Sequence, residues 1–308
     1  MLRLPERGIR RSIQSHNSDF FALCDWVEAS ALTTDDELTR GDVLDNLITE
    51  QIYDDQDFCA EQLADVWNEL ARRHKWLSDD SPIQTRGHKL LSDVDWREWP
   101  ALAFCLHVSL APLYSGYYRH FGSDYTDQGE LFELLTMEFS STAFPLWKSF
   151  RSGWSASHTV KLEQVVPQFA DTIRQDVAAL EKYGNRQANE SGLDLAWYRP
   201  FHDGRGGYPI YLVQCASGRG WPNKLHTPEL AVWTKLIDFT HPPSKAFSCP
   251  FALLDDEFAR RTNQVQGLLL DRYRLLSPGA PEPQWVSREL RDRLVEWLEP
   301  RVAWTIED

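Results

Sequence analysis

Apolar and polar positions follow two different periods along this chain, and the place where the period changes divides it. Residues 19–77 carry a helical pattern. Between Asp42 and Trp76, the residues Val43, Leu44, Leu47, Ile48, Ile52, Phe58, Leu63, Val66, Trp67 and Leu70 fall mostly at helical intervals, the spacing that lines one face of a helix. Ser78-Asp79-Asp80-Ser81-Pro82 breaks the pattern with turn-forming residues. Pro100 to Tyr118 is apolar nearly all round, which predicts a buried helix that Pro112 bends or ends. A further helix is predicted from Gly129 to about Phe144, with Leu131, Phe132, Leu134, Leu135 and Phe139 on its apolar face and Pro145 as its stop. Another is predicted from Pro167 to Tyr183, with Pro167 at the first helical position and Gly184-Asn185 past its end.

The period then shortens. Leu193 to Phe201 and Tyr208 to Cys215 are rich in aromatic and branched residues and flank His202-Asp203-Gly204-Arg205-Gly206-Gly207, the signature of a β-hairpin. Thr227 as N-cap and Pro228 after it predict a helix to Phe239. Lys245 to Leu254 reads as a third strand, interrupted by Pro250, and Ser287 to Trp297 as a closing helix. The fold class expected is α/β of the α+β kind: a helical region over residues 1–120, followed by a mixed-sheet module with flanking helices over residues 121–308.

Composition narrows the class. An apolar fraction of 42% and a charged fraction of 25% are those of a globular protein, and no apolar run approaches the roughly 20 residues that span a bilayer. The basic N-terminus lacks a following apolar stretch, so no secretory signal is expected. Five scattered cysteines without CxxC spacing indicate neither a zinc site nor a disulfide framework. A reduced, cytoplasmic protein with no membrane partner is the expectation.

A net charge of −14 argues against a free-standing, nonspecific nucleic-acid binder. The charge is unevenly spread. From Asp35 to Glu69 there are twelve acids against the single base Arg40; from Arg186 to Lys224 there are five bases against three acids. The acidic tract is either a solvated helical surface or a docking face, with Leu44, Ile48 and Phe58 as apolar anchors.

Candidate chemistry gathers on the predicted hairpin. Asp194 is a lone carboxylate in the apolar run Gly192-Leu193-Asp194-Leu195-Ala196-Trp197, and Gln214 closes the partner strand where an apolar residue is expected. A carboxylate and an amide carbonyl are hard oxygen ligands of the kind Mg²⁺ prefers. The alternative use of such an Asp is to bond turn amides, and of such a Gln to hydrogen-bond locally. Lys224 follows in Trp221-Pro222-Asn223-Lys224, where a nearby cation would steady a phosphorane-like transition state. Ser217-Gly218-Arg219-Gly220 lacks the pattern of a phosphate-binding P-loop. Cys215 has no neighbouring His to activate it. Trp197, Trp221 and Trp233 serve either base stacking or core packing.

The Asp194, Gln214 and Lys224 pattern resembles the PD-(D/E)xK, or restriction-endonuclease-like, nuclease superfamily over about residues 129–254. The resemblance implies an α-β-β-β-α-β core, so one strand remains to be placed, between Phe150 and Val166. It implies a Mg²⁺ ion, replaceable by Mn²⁺, and cleavage of DNA. In the family's third motif an acid or Gln is followed by a spacer and Lys; here the run is Gln214-Cys215-Ala216, with Ala at the Lys position. The Lys role is therefore carried to Lys224. The family also uses a Glu from the helix preceding the sheet, for which Glu133 is preferred over Glu130. Arg205 and Arg219 are the candidate nucleic-acid contacts. Similar bacterial proteins serve restriction or antiphage defence beside an ATPase or helicase subunit. Two other readings stay open: a non-catalytic module of this fold that binds nucleic acid or protein, and an adaptor whose acidic helical region does the work.

Overall fold

In a computed structural model the chain separates into two units, residues 1–123 with 280–308 and residues 124–279. The structure describes residues 1–9, 16–34, 37–77, 81–123, 125–152, 161–178, 180 and 192–306. Asp35 of the acidic tract, residues 78–80 of the expected break, and the expected helix stop Gly184-Asn185 lie outside them.

The first unit begins with α1 (His16–Thr33), the short strand β1 (Leu38–Thr39), α2 (Arg40–Thr49) and α3 (Gln56–Trp76). The pattern from Asp42 to Trp76 is therefore two helices. Gln51 takes a φ of 55° beyond the end of α2. Asp55 then caps α3, accepting from the Asp57 and Phe58 amides at 2.9 and 3.0 Å. Part of the acidic tract has local work of this kind: Asp42 joins Thr39 in a capping box, and Glu69 holds Arg72 and Arg73. Phe58 remains 42% exposed.

Strands β2 (Ile83–Arg86) and β3 (Lys89–Ser92) form a hairpin that completes an antiparallel sheet of order β1-β3-β2. Its sequence signal is Gly87, at φ 62°, the first of two residues joining the strands, where hairpin turns require positive φ. The buried helix α4 (Pro100–Leu110) stops at a 3₁₀ turn containing Pro112, and α5 (Tyr117–Phe121) follows. The C-terminal helices Glu282–Trp285 and Arg288–Ile306 belong to this unit. The carboxylate of Glu282 accepts from the first-turn amides of α4, Ala101 at 2.6 Å and Leu102 at 3.1 Å, groups that no helix satisfies internally.

The second unit is a mixed α/β structure. Its elements are α6 (Thr126–Ala143), β4 (Lys148–Arg151), α7 (Leu162–Thr172), β5 (Asp176–Val177), β6 (Leu195–Tyr198), β7 (Ile210–Cys215), α8 (Leu230–Leu236), β8 (Ile237–Asp238), β9 (Ser244–Ser248), α9 (Asp255–Val265), β10 (Leu268–Leu270) and α10 (Arg272–Leu275). The main sheet has the order β10-β9-β7-β6-β4. β4, β6 and β7 run as an antiparallel meander, and β9 and β10 lie parallel to β7. Read in sequence, α6, β4, β6, β7, α8 and β9 give the order α-β-β-β-α-β, with α7 inserted after the first strand. The strand left to be placed is β4, which begins two residues ahead of the expected window and ends just inside it; α7 occupies the window's end.

Two predicted helices change. Pro167 is inside α7 and not at its start. It sits with Glu163 and Gln164 on the exposed side, where water can satisfy the Glu163 carbonyl that Pro167 leaves without an amide partner. Leu162, Val165, Val166 and Phe169 face the core. The helix expected from Thr227 begins at Leu230, with Glu229 at the cap position, because the Thr227 hydroxyl is engaged elsewhere.

The sheet is covered on both faces. On one, Ala196, Tyr198, Ile210 and Leu212 pack with α7 and α8. On the other, Trp197 meets Phe139 of α6 and Phe144 at centroid distances of 6.3 and 5.7 Å. No helix among the described residues is long and apolar enough to cross a membrane.

Candidate functional site

Asp194 and Gln214 meet just past the last pair of the β6–β7 ladder, Leu195 with Val213. The Asp194 amide donates to the Val213 carbonyl at 3.0 Å, so Asp194 and Leu195 both oppose Val213 in a β-bulge that ends the regular pairing. Asp194 and Gln214 are nearly buried, at 5% and 4% exposure. Asp194 Oδ2 accepts from Gln214 Nε2 and from the Cys215 amide at 2.6 Å. Gln214 Nε2 also donates to the Cys215 carbonyl at 3.1 Å, and Gln214 Oε1 accepts from Thr227 Oγ1 at 2.9 Å. The cluster sits at the carboxyl end of β7, the strand at which the sheet turns from antiparallel to parallel pairing.

Gly192 is required by this packing. It has a φ of 72°, and a Cβ there would lie 2.6 Å from Thr227 Cβ and 2.9 Å from Gln214 Oε1. Only glycine both adopts that backbone and leaves the amide its place.

Thr227 is a site residue that sequence reasoning assigned to a helix cap. Its Oγ1 lies 2.7 Å from the Lys224 carbonyl and 2.9 Å from Gln214 Oε1, which share its one proton. Lys224 thus enters the site through its backbone. Its side chain is exposed, and among the described residues it makes no ion pair or hydrogen bond with Asp194 or Gln214.

Glu133 lies on α6, where Arg151 Nε donates to its Oε2 at 2.8 Å and Arg151 Nη1 lies 3.6 Å from Glu130. Cys215 stands between the two groups of acids. Burial, together with the charges of Asp194 and Glu133, pushes its thiol well above the usual range, which leaves it protonated and inert. Arg205 sits in the 199–209 connection, at the far end of the β6–β7 hairpin from Asp194. Four strand residues separate those ends, about 13 Å at strand spacing. Arg219, three residues past Ala216, is exposed at the Asp194 end. Trp197 and Trp233 are fully buried and serve the core, while Trp221 stacks on Phe251 beneath Arg261.

A further buried polar residue lies on the neighbouring strand. β9 pairs in parallel with β7, Lys245 beside Leu212 and Phe247 beside Gln214. It is 8% exposed, and Nζ donates to the Leu225 carbonyl at 3.2 Å. Burial lowers the affinity of its amine for a proton.

Among the described residues no three His, Cys, Asp or Glu side chains converge as a metal cluster. Asp194 and Gln214 nonetheless supply one carboxylate and one amide oxygen, a set that fits Mg²⁺, which commonly keeps several waters and takes one or two carboxylates plus substrate phosphate. For Gln214 to ligate, its amide must turn about. Thr227 Oγ1, whose proton then goes to the Lys224 carbonyl alone, accepts from Nε2 in place of donating.

No protein-family profile matches the chain, and none of the curated proteins does. Among solved structures, that of the restriction endonuclease FokI bound to DNA is similar at 11% identity and a TM-score of 0.21. The match covers 91% of this chain and 48% of the other, so the chain spans about half that protein's length.

Proposed function

We propose that this protein is a metal-dependent DNA endonuclease of restriction-endonuclease-like type. The observation that carries the reading is Asp194 paired with Gln214 at the carboxyl end of the third strand of an α-β-β-β-α-β core. Asp194 and the Gln214 carbonyl would hold Mg²⁺ or Mn²⁺. When bound, such an ion polarises a phosphate and lowers the pKa of an attacking water. The Cys215 amide orients the Asp194 carboxylate before anything binds, and Thr227 would hold the Gln214 amide once it has turned its oxygen toward the ion. Arg219, at the same end, would meet the DNA backbone. At −14, with only modest positive charge near the site, the chain would depend for tight DNA engagement on a partner such as an ATPase or helicase subunit of a cytoplasmic defence system. The face carrying Leu44, Ile48 and the exposed Phe58 suits that docking.

The test is cleavage of supercoiled plasmid by the purified chain with Mg²⁺ or Mn²⁺, compared with Asp194→Asn. The expected result is a loss of about a hundredfold or more in rate, with Mn²⁺ binding by calorimetry lost in parallel. Unchanged Mn²⁺ binding by the variant ends the assignment. A second reading, a non-catalytic module of the same fold, is favoured by the apolar Ala216 at the Lys position. It is the outcome if Mn²⁺ binds at Asp194 and no cleavage follows even with the partner present.

A further inference from the structure

The first elements of the first unit run α1, β1, α2, α3, β2, β3, with β3 lying between β1 and β2 in an antiparallel sheet. That is the order of a winged helix-turn-helix: α2 and α3 are its helix pair, residues 50–55 the turn between them, and the β2–β3 hairpin the wing. In a helix-turn-helix that reads DNA, the N-terminal residues of the second helix meet base edges while the first helix crosses the backbone. Here those positions are acidic. Between Gly41 and Asp65 there are eight acids and no Lys or Arg. Asp42 and Asp55 cap the two helices, and Asp57 suits the positive end of α3. Glu61 and Asp65 lie further along α3, where the helix dipole no longer favours an acid. They are exposed and in no ion pair among the described residues, whereas Glu69, one turn on, is held by Arg72 and Arg73. At helical spacing they share a face with Phe58, which is 42% exposed and packs on Tyr53 of the turn with ring centroids 5.9 Å apart. Exposed bases stand elsewhere: Lys75 at the close of α3, and Arg86 and Lys89 on the wing, with Lys89 bound to Glu37 at 2.5 Å.

We propose that this helix-turn-helix docks protein and not DNA, and that the α3 face of Phe58, Glu61 and Asp65 takes a basic amphipathic segment of a partner protein. Phe58 is the apolar anchor at the centre of the contact. Lys or Arg side chains of the partner meet Glu61 and Asp65, whose charges have no opposite number in the described chain. The same charges repel a phosphate backbone from the end of α3 that would have to read it. The inference gives the chemistry of the partner that the proposed function calls for, and rests on that reading only for the partner's part in bringing DNA.

Fluorescence anisotropy of the full-length chain with three labelled probes tests this: a helical peptide of Leu and Lys in heptads, the same peptide with Glu in place of Lys, and a short DNA duplex. The proteins are wild type, Phe58→Ala, Glu61→Gln with Asp65→Asn, and Asp292→Asn with Glu296→Gln. The last removes the same charge at the same spacing from another exposed helix face, so it separates docking from attraction to net charge. Every substituted side chain is exposed, and melting temperatures are expected to match wild type. Wild type is expected to bind the Lys peptide and not the Glu peptide. Phe58→Ala and the Glu61 and Asp65 variant are each expected to weaken that binding by at least about tenfold, with the Asp292 and Glu296 variant within about threefold of wild type. Equal weakening by the two charge variants, unchanged affinity in Phe58→Ala, or no binding of the Lys peptide by wild type overturns the proposal. Duplex binding that Phe58→Ala weakens by about tenfold makes α3 a DNA reader and overturns it as well. Neither metal nor cleavage enters these measurements, so the nuclease reading is decided separately, by Mn²⁺ binding at Asp194.

Discussion

Arg73 in the first unit is fully buried and meets Asp25 at 2.8 Å, Glu28 at 3.2 Å and Glu69 at 2.9 Å. Those contacts tie α3 to α1, and Ser109 of α4 adds a hydrogen bond to Asp25 at 2.6 Å. Asp194 in the second unit is nearly as buried, and its carboxylate accepts from the Gln214 side-chain amide and the Cys215 backbone amide at the end of a strand pair. A charge matched by opposite charges is consumed in holding helices together. The first cluster reads as architecture, the second as the candidate site.

The sharpest way to break this comparison is to remove one charge from each. Arg73→Met leaves three carboxylates buried around an apolar side chain, and the expected cost is about 3–5 kcal/mol of stability in urea denaturation. Asp194→Asn keeps an oxygen to accept from the Cys215 amide, and the expected cost is about 1–2 kcal/mol. Equal losses would mean that Asp194 is as structural as Arg73.

Glu282 refines the comparison, because it is a buried carboxylate of the first unit held by amides, much as Asp194 is. Burial raises it from 4.5 to about 8. The folded protein therefore retains a proton that the unfolded chain has already released, and stability falls as pH rises from 4.5 towards 8. His107, which burial and then Arg301 lower from 6.5 to about 3, acts in the opposite sense, and only below 6.5. Between pH 6.5 and 8 the Glu282 contribution amounts to about 2 kcal/mol. Glu282→Gln keeps one oxygen to accept from Ala101 or Leu102, loses the other bond at every pH, and is expected to be less pH-dependent than wild type by that amount, measured as unfolding free energy at both pH values. A slope equal to wild type would assign the raised affinity elsewhere.

The pairing of Asp194 with Gln214 was legible because one hairpin sets it, and a hairpin's register follows from two apolar runs and a turn. The strand β4 was not. In Lys148-Ser149-Phe150-Arg151 only Phe150 is buried, so an edge strand gives no alternating signal. Thr227 reads locally as a cap, and its partner Gln214 lies outside the local sequence. Acidic residues of the first region looked uniformly like surface, although Asp42, Asp55 and Glu69 hold caps and an ion cluster.

The smallest expected effect asks whether the second unit has a directed DNA-facing end. Arg219 and Arg205 are both exposed turn arginines, equal by sequence and set at opposite ends of the β6–β7 hairpin. A phosphate contact releases counterions, so removing one lowers the salt dependence of binding without changing sequence preference. With Ca²⁺ in place of Mg²⁺ to prevent turnover, Arg219→Ala is expected to reduce the slope of log affinity against log salt by about 1. Arg205→Ala, whose side chain already lies 3.6 Å from Asp203, is expected to leave the slope unchanged. Titration of a fluorescent duplex between 50 and 200 mM salt, roughly the range over which such slopes are read, gives the answer. A larger change for Arg205 than for Arg219 would move the DNA to the other end of the sheet, away from Asp194, and with it the case for cleavage at that residue.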